Sequence, residues 1–107
     1  MDRREYLRFN VNLDVQYRIL ESLKPYKISL SEDASEKGIK MNLGEYIAPD
    51  TRLELIIKLP GESHPIMVIG RVVWVKKDLF NRFFTTGIHI MHVDEKNRQR
   101  FYQYAFL

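Results

Sequence analysis

The sequence predicts a mainly β fold, a six-stranded antiparallel β-barrel with a C-terminal α-helix. Three observations carry this expectation. Apolar residues recur in six short segments, with two as the dominant period. Turn-forming residues separate those segments. After Asp94 the period changes to that of a helix. At 107 residues the chain is large enough for one core, so a single domain over 1–107 is expected. Six strands in so short a chain favour a closed or partly open barrel; closure removes sheet edges that would otherwise pair with other chains.

The first strand segment alternates Val11, Leu13, Val15, Tyr17 and Ile19 with Asn12, Asp14, Gln16 and Arg18, one dry face against one wet face. Tyr26, Ile28 and Leu30 repeat the pattern, and Ile39, Met41 and Leu43 do so again. Leu53, Leu55, Ile57 and Leu59 form a fourth run that closes on the turn signal Pro60-Gly61. The fifth, IMVIGRVVWV at 66–75, is apolar on both parities except at Gly70 and Arg71. Such a strand is buried on both faces or bent at its glycine. FTTGIHIM at 84–91 completes the barrel, which is expected within 11–92. A helix is expected over 94–106, where EKNRQRFYQYAFL has no proline or glycine, Asp94 suits an N-cap, and Phe101, Tyr104 and Ala105 share a face. Its apolar end either packs on a barrel mouth or presents a patch to a partner.

Composition narrows the function. Hydrophobic residues make up 45% and charged residues 29%, as in ordinary globular domains. A net charge of +3 and a pI near 9.2 suit anionic partners without singling out nucleic acid. The absence of cysteine excludes disulfides, thiolate metal sites and thiol catalysis. No apolar run approaches the roughly 18 residues of a membrane span, and the basic start leads into alternation rather than a signal sequence. A cytoplasmic location is expected. His89 and His92, three apart on a strand, are expected on opposite faces, and His64 in a turn. With no clustered carboxylates, no metal site is expected. No nucleophile–base pair or Walker-type loop points to catalysis.

Two polar segments stand outside the strand pattern. RREYLR, residues 3–8, carries Arg3, Arg4 and Arg8. In a helix, Arg4 and Arg8 would share a face and grip one anion; extended, they would span up to roughly 13 Å and touch separate parts of a larger ligand. Guanidinium suits phosphate, the O6/N7 edge of guanine, and stacking on a purine. The plainer reading is a solvated basic end. SEDASEKG, residues 31–38, offers Asp33 as an acceptor for the N1–H and N2–H of guanine and Ser35 as a donor to phosphate. Gly38 permits positive φ or close approach of backbone to ligand. Here the plainer reading is a polar hairpin loop that caps itself.

Together, R-x-x-x-R at Arg4 and Arg8 and D-x-S-x-x-G at Asp33, Ser35 and Gly38 resemble the PilZ domain. The resemblance continues in GIKMNL, in GRVVWV at 70–75, in TGIHI at 86–90 and in the terminal helix, and so covers essentially the whole chain. It implies a six-stranded barrel with a helix, and the bacterial second messenger cyclic di-GMP as ligand rather than a cofactor. It also implies a mobile arm, here 1–10, that folds over ligand on the barrel surface. By position, Arg4 and Arg8 would bind phosphate and guanine, Asp33 and Ser35 would hold a guanine, and Gly38 would shape the loop. In the family, the residue before the first motif arginine biases binding towards one ligand or a stacked pair, and an arginine, as at Arg3, looks like the pair-binding type. A protein effector downstream is also implied.

Trp74 shares the parity of Val72, which reads as barrel core or rim before ligand stacking. In some family members, however, an aromatic on this strand lies near the nucleotide. Arg71, on the other parity, suits either a ligand or a carboxylate. Two rival functions remain beside the receptor reading. A single-stranded nucleic-acid barrel would need an aromatic stacking face, whereas most aromatics here fall on core parity or in the helix. A ligand-independent interaction module would have no need of both motifs.

Overall fold

The structure, a computed structural model, describes residues 9–10, 13–34, 37–80 and 82–106, with backbone alone at 9–10 and 101–106. Its elements are β1 (Phe9–Asn10), β2 (Asp14–Ile19), β3 (Lys27–Ala34), β4 (Gly38–Leu43), β5 (Arg52–Lys58), β6 (Ile66–Asp78), β7 (Phe83–His92) and α1 (Glu95–Phe106). The sheet runs β3-β2-β5-β6-β7-β4 and closes by pairing β4 back onto β3, giving a six-stranded antiparallel barrel. The short β1 pairs with the end of β3, Phe9 opposite Ala34 and Asn10 opposite Asp33, on the edge that β2 occupies further along.

The barrel interior is filled by the alternating residues of five strands. Leu13, Val15 and Tyr17 lead in from β2; Ile39, Met41 and Leu43 from β4; Leu53, Leu55 and Ile57 from β5; Ile66, Val68 and Val72 from β6; Ile88 and Ile90 from β7. Gly70 also faces inward, where a Cβ would lie 2.5 Å from Ile88 Cγ2. The glycine therefore makes room for the Ile88 side chain, at the point where the β6–β7 register shifts.

β3 reverses the expected parity. Ile28 and Leu30 point outward, at 79% and 49% exposure, while Ser29 and Ser31 are buried. The inward serines face large side chains across the ladders, Ser29 opposite Val15 and Ser31 opposite Met41, so small meets large as the narrow interior requires. They also satisfy buried backbone. Ser31 Oγ accepts the Leu13 N–H at 2.9 Å while the Ser31 N–H donates to the Leu13 carbonyl at 3.1 Å. Ser29 Oγ donates to the Asn42 carbonyl at 2.6 Å.

Polar clusters tie the loops to the wall. The Tyr17 hydroxyl donates to Glu45 Oε2 at 3.0 Å, and Lys27 bonds the same oxygen. Burial, and then this hydrogen bond, push the Tyr17 phenol well above its ordinary value. Lys27 chiefly, with Tyr17, holds the Glu45 carboxyl below its ordinary range. On the outer wall Arg18 Nε bonds Glu54 Oε2 at 2.6 Å, the Tyr26 hydroxyl donates to the same oxygen at 2.9 Å, and the guanidinium lies 4.3 Å from the Tyr26 ring centroid. Arg18 first and Tyr26 second hold Glu54 below its usual range. At the other end of the barrel, Arg100 on α1 donates to Glu62 Oε2 at 3.1 Å and to the His64 carbonyl, docking the helix on the β5–β6 turn. Asp94 precedes the helix; its carbonyl accepts the Arg98 N–H at 2.9 Å, and its Oδ2 accepts from Asn97 at 3.2 Å.

This packing makes opposite demands on neighbouring β3 positions. Ile28→Ser is expected to change the unfolding free energy by less than about 0.5 kcal/mol. Ser31→Ala, which orphans the Leu13 N–H, is expected to cost about 1–3 kcal/mol. Urea denaturation measures both, and a larger loss at Ile28 than at Ser31 would contradict the observed parity. Because Glu45 and Glu54 are depressed in the folded state, their contribution is complete above the ordinary carboxylate value of 4.5 and disappears as pH falls through their lower folded values. Denaturation midpoints should therefore fall on acidification below that value, and fall less steeply in Glu45→Gln; equal slopes would remove Glu45 from the acid response.

Candidate ligand-binding surface

Three one-residue bulges among the described strands decide what the outer wall presents. Between Ser31 and Asp33, β3 advances two residues while β4 advances one, leaving Glu32 unpaired. Between Val72 and Trp74, β6 does the same against β7, leaving Val73. Between His92 and Ile90, β7 does so against β6, leaving Met91. Each bulge reverses the parity of the residues beyond it.

The first bulge turns Asp33 outward. Without it, Asp33 would share the inward parity of Ser31; with it, Asp33 pairs with Lys40 and Ala34 takes the core position opposite Ile39. Asp33 thus belongs to the end of strand β3 rather than to a loop. Its side chain is 16% exposed, and Lys40 Nζ sits 3.2 Å from Asp33 Oδ2 and 3.9 Å from Glu32 Oε2.

The second bulge corrects the parity expected for Trp74. The indole is not in the core: Trp74 is 43% exposed on the outer wall, and Val75 takes the inward side, opposite the buried Thr86. Trp74 pairs with Gly87 and lies across it, so that a Cβ at 87 would stand 2.1 Å from the indole Nε1. The ring can lie flat only because that residue is glycine. One outward row therefore crosses four strands, Asp33–Lys40–Gly87–Trp74.

A second row, Gly38–His89–Arg71–Arg52, runs beside it. Arg71 and Trp74 now share the outer face, against the expectation of opposite parities. Arg71 Nη1 bonds Asp50 Oδ1 at 2.8 Å, which is the carboxylate alternative. Gly38 opens β4 as a paired strand residue, and the glycine of positive φ among those described is Gly61, at 78°. The third bulge brings His92 to the outer face as well, opposite Ile69, so both histidines point outward rather than to opposite faces. Among the described residues no group of three or more histidine, aspartate or glutamate side chains could hold a metal ion. Nor is any described helix long and apolar enough to cross a membrane.

Beyond Trp74 the wall opens into a groove of about 540 Å³ bordered by Lys40, Thr85, Trp74, Lys76 and the β6–β7 hairpin. Thr85 Oγ1 donates to Asn42 Oδ1 at 3.0 Å beside it. The flat indole and the ammonium groups of Lys40, Lys76 and Lys77, with Asp33 in the adjoining row, suit a ligand that is planar, anionic and rich in amide-like donors. Arg3, Arg4, Arg8 and Ser35 lie outside the described residues, as does the side-chain packing expected of Phe101, Tyr104 and Ala105. Lys40, Lys76 and Gly87 were not singled out as site residues by the sequence, although the wet parity of GIKMNL marks Lys40.

This barrel, its terminal helix and its bulged outer wall define a small closed β-barrel domain with a C-terminal helix. The family model of the PilZ domain matches residues 2–107, and the chain belongs to that family. No curated protein matches the sequence. Among solved structures, the inhibitor of motility MotI/DgrA of Bacillus subtilis has a TM-score of 0.82 and 27% identity over 99% of this chain and 51% of its own. The PilZ domain of YcgR from Escherichia coli, solved with c-di-GMP, has a TM-score of 0.74 and 13% identity over 98% and 90%. The K. pneumonia MrkH–c-di-GMP complex has 0.70 and 14% over 96% and 51%. The chain thus spans about half the length of MotI/DgrA and of MrkH.

Gly87→Ala is expected to lift the indole from the wall, because a methyl group cannot share its space. As Trp74 is the single tryptophan, its emission should move to longer wavelength. An unshifted spectrum would mean that the indole does not rest on Gly87.

Proposed function

We propose that this chain is a non-catalytic receptor for cyclic di-GMP, which seats on the outer wall formed by β3, β4, β7 and β6. Membership of the PilZ family supports this, and two proteins of the same fold, YcgR and MrkH, are solved with that ligand. The observation that carries the reading is the bulge that turns Asp33 outward beside Asn10. Arg8 stands two residues before Asn10 in the sequence.

Arg4 and Arg8 bind phosphate and guanine, Asp33 accepts the N–H edge of a guanine, and Ser35 assists it. Gly38, at the start of β4, allows close approach of backbone to the ligand. Arg3 adds a third guanidinium, which offsets the charge of a second dianion and stacks on a further base, so a stacked pair is bound. Trp74 and Arg71 border the same wall. Ligand orders the part of the arm ahead of β1 against 31–38, and a protein partner in the cytoplasm reads the new surface.

Isothermal titration tests this directly. Cyclic di-GMP should bind more tightly than GTP or linear pGpG, and parity with either would defeat the reading. Arg4→Ala, Arg8→Ala or Asp33→Ala should each weaken binding about tenfold or more, the scale of one charge-assisted hydrogen bond. Arg3→Ala should instead lower the ligand-to-protein ratio, and an unchanged ratio would remove the stacked pair.

A further inference from the structure

The β6–β7 hairpin presents its two most exposed apolar residues side by side at its tip. Leu79 is 80% exposed and Phe80 is 95% exposed. Loop tips normally carry small or polar residues, because an apolar side chain there gains no burial from the fold. The tip is nevertheless built. The Phe80 N–H donates to Asp78 Oδ1 at 2.9 Å and the Arg82 N–H donates to the Asp78 carbonyl at 3.1 Å. Arg82 completes the turn at a φ of 58°. These bonds hold Leu79 and Phe80 outward and engage the carboxylate of Asp78 within the turn.

Charge surrounds the tip with one sign. Lys76 and Lys77 lead into it and Arg82 leads out, against Asp78 alone among the described residues of 76–82. Behind it, β6 continues from Val73 to Asp78 past its last pairing with β5, at Arg52 and Arg71. At the base, Tyr46, 59% exposed, meets Phe84 edge-on at 5.9 Å, and Lys77 Nζ lies 5.8 Å from the Phe84 ring centroid.

We propose that the Leu79–Phe80 tip inserts into the surface of an anionic lipid bilayer, with Lys76, Lys77 and Arg82 at the headgroups. A convex apolar point inside a basic collar fits a soft, negatively charged surface. Phe80 and Leu79 enter the acyl boundary, while long basic side chains reach the lipid phosphates. Tyr46 suits the headgroup level, where an aromatic body and a polar tip are both satisfied. Lys76 and Lys77 also border the groove beside Trp74. An anion held there weakens the attraction to lipid through the same charges, and lipid weakens its binding reciprocally.

Co-sedimentation of the whole chain with vesicles tests this without reference to any nucleotide. Binding is expected to vesicles of phosphatidylcholine mixed with phosphatidylglycerol, not to phosphatidylcholine alone, and to weaken as salt rises. The double substitution Leu79→Ser, Phe80→Ser should lower the partition coefficient about tenfold or more, with the melting temperature unchanged because both side chains are solvent-exposed. Lys76→Gln with Lys77→Gln should lower it on mixed vesicles and reduce its salt dependence. The proposal is overturned if the chain stays in the supernatant with both vesicle types, or if the serine variant binds as the parent does. It is equally overturned if the tip substitutions abolish only self-association seen by sedimentation.

Discussion

Closure of the sheet through the β3–β4 ladder is the constraint on which the rest of the molecule depends. A closed sheet has one inside and one outside, so every strand must divide its residues between them with no free edge to absorb an error. The inside is narrow and already crowded by Met41, Leu43, Leu55 and Ile57. That crowding explains why β3 sends serines inward and Ile28 and Leu30 outward. It also explains Gly70, whose missing side chain leaves room for Ile88.

Bulges are how the barrel satisfies that constraint and still aims chosen side chains outward. The bulge at Glu32 lets Ser31 and Ala34 both face the core while Asp33 faces solvent; the one at Val73 does the same for Val72, Val75 and Trp74. These strand irregularities build the candidate site. An acid, an ammonium group, a glycine and an indole come from four strands and lie in one cross-strand row because two ladders each carry an extra residue. Such a site stands on a closed wall, and its geometry is set by backbone pairing more than by side-chain packing.

Much of this was legible in the residues. The alternation in VNLDVQYRI placed Leu13, Val15 and Tyr17 in the core, and Leu53, Leu55 and Ile57 obeyed the same rule. The two motifs marked Asp33 through its fixed offset from Ser35 and Gly38. The misplacements on β6 and β7 share one cause. Period-two reasoning assumes an unbroken ladder, so it put Trp74 with Val72, separated Arg71 from Trp74, and set His89 and His92 on opposite faces. A single unpaired residue, at Val73 or Met91, reverses each assignment. No feature of IMVIGRVVWV distinguishes Val73 from its neighbours as the residue to be left out.

The sequence by itself determined the number of barrel strands, the terminal helix, most of the core and the family. These rest on local periodicity, on turn chemistry and on the spacing of polar residues along the chain. Only the tertiary structure decided the parity of β3, the outward turn of Asp33 and Trp74, and the contact of that indole with Gly87. Those depend on which strand lies opposite which, and on how much volume a closed barrel leaves inside. Neither quantity is carried by any one segment.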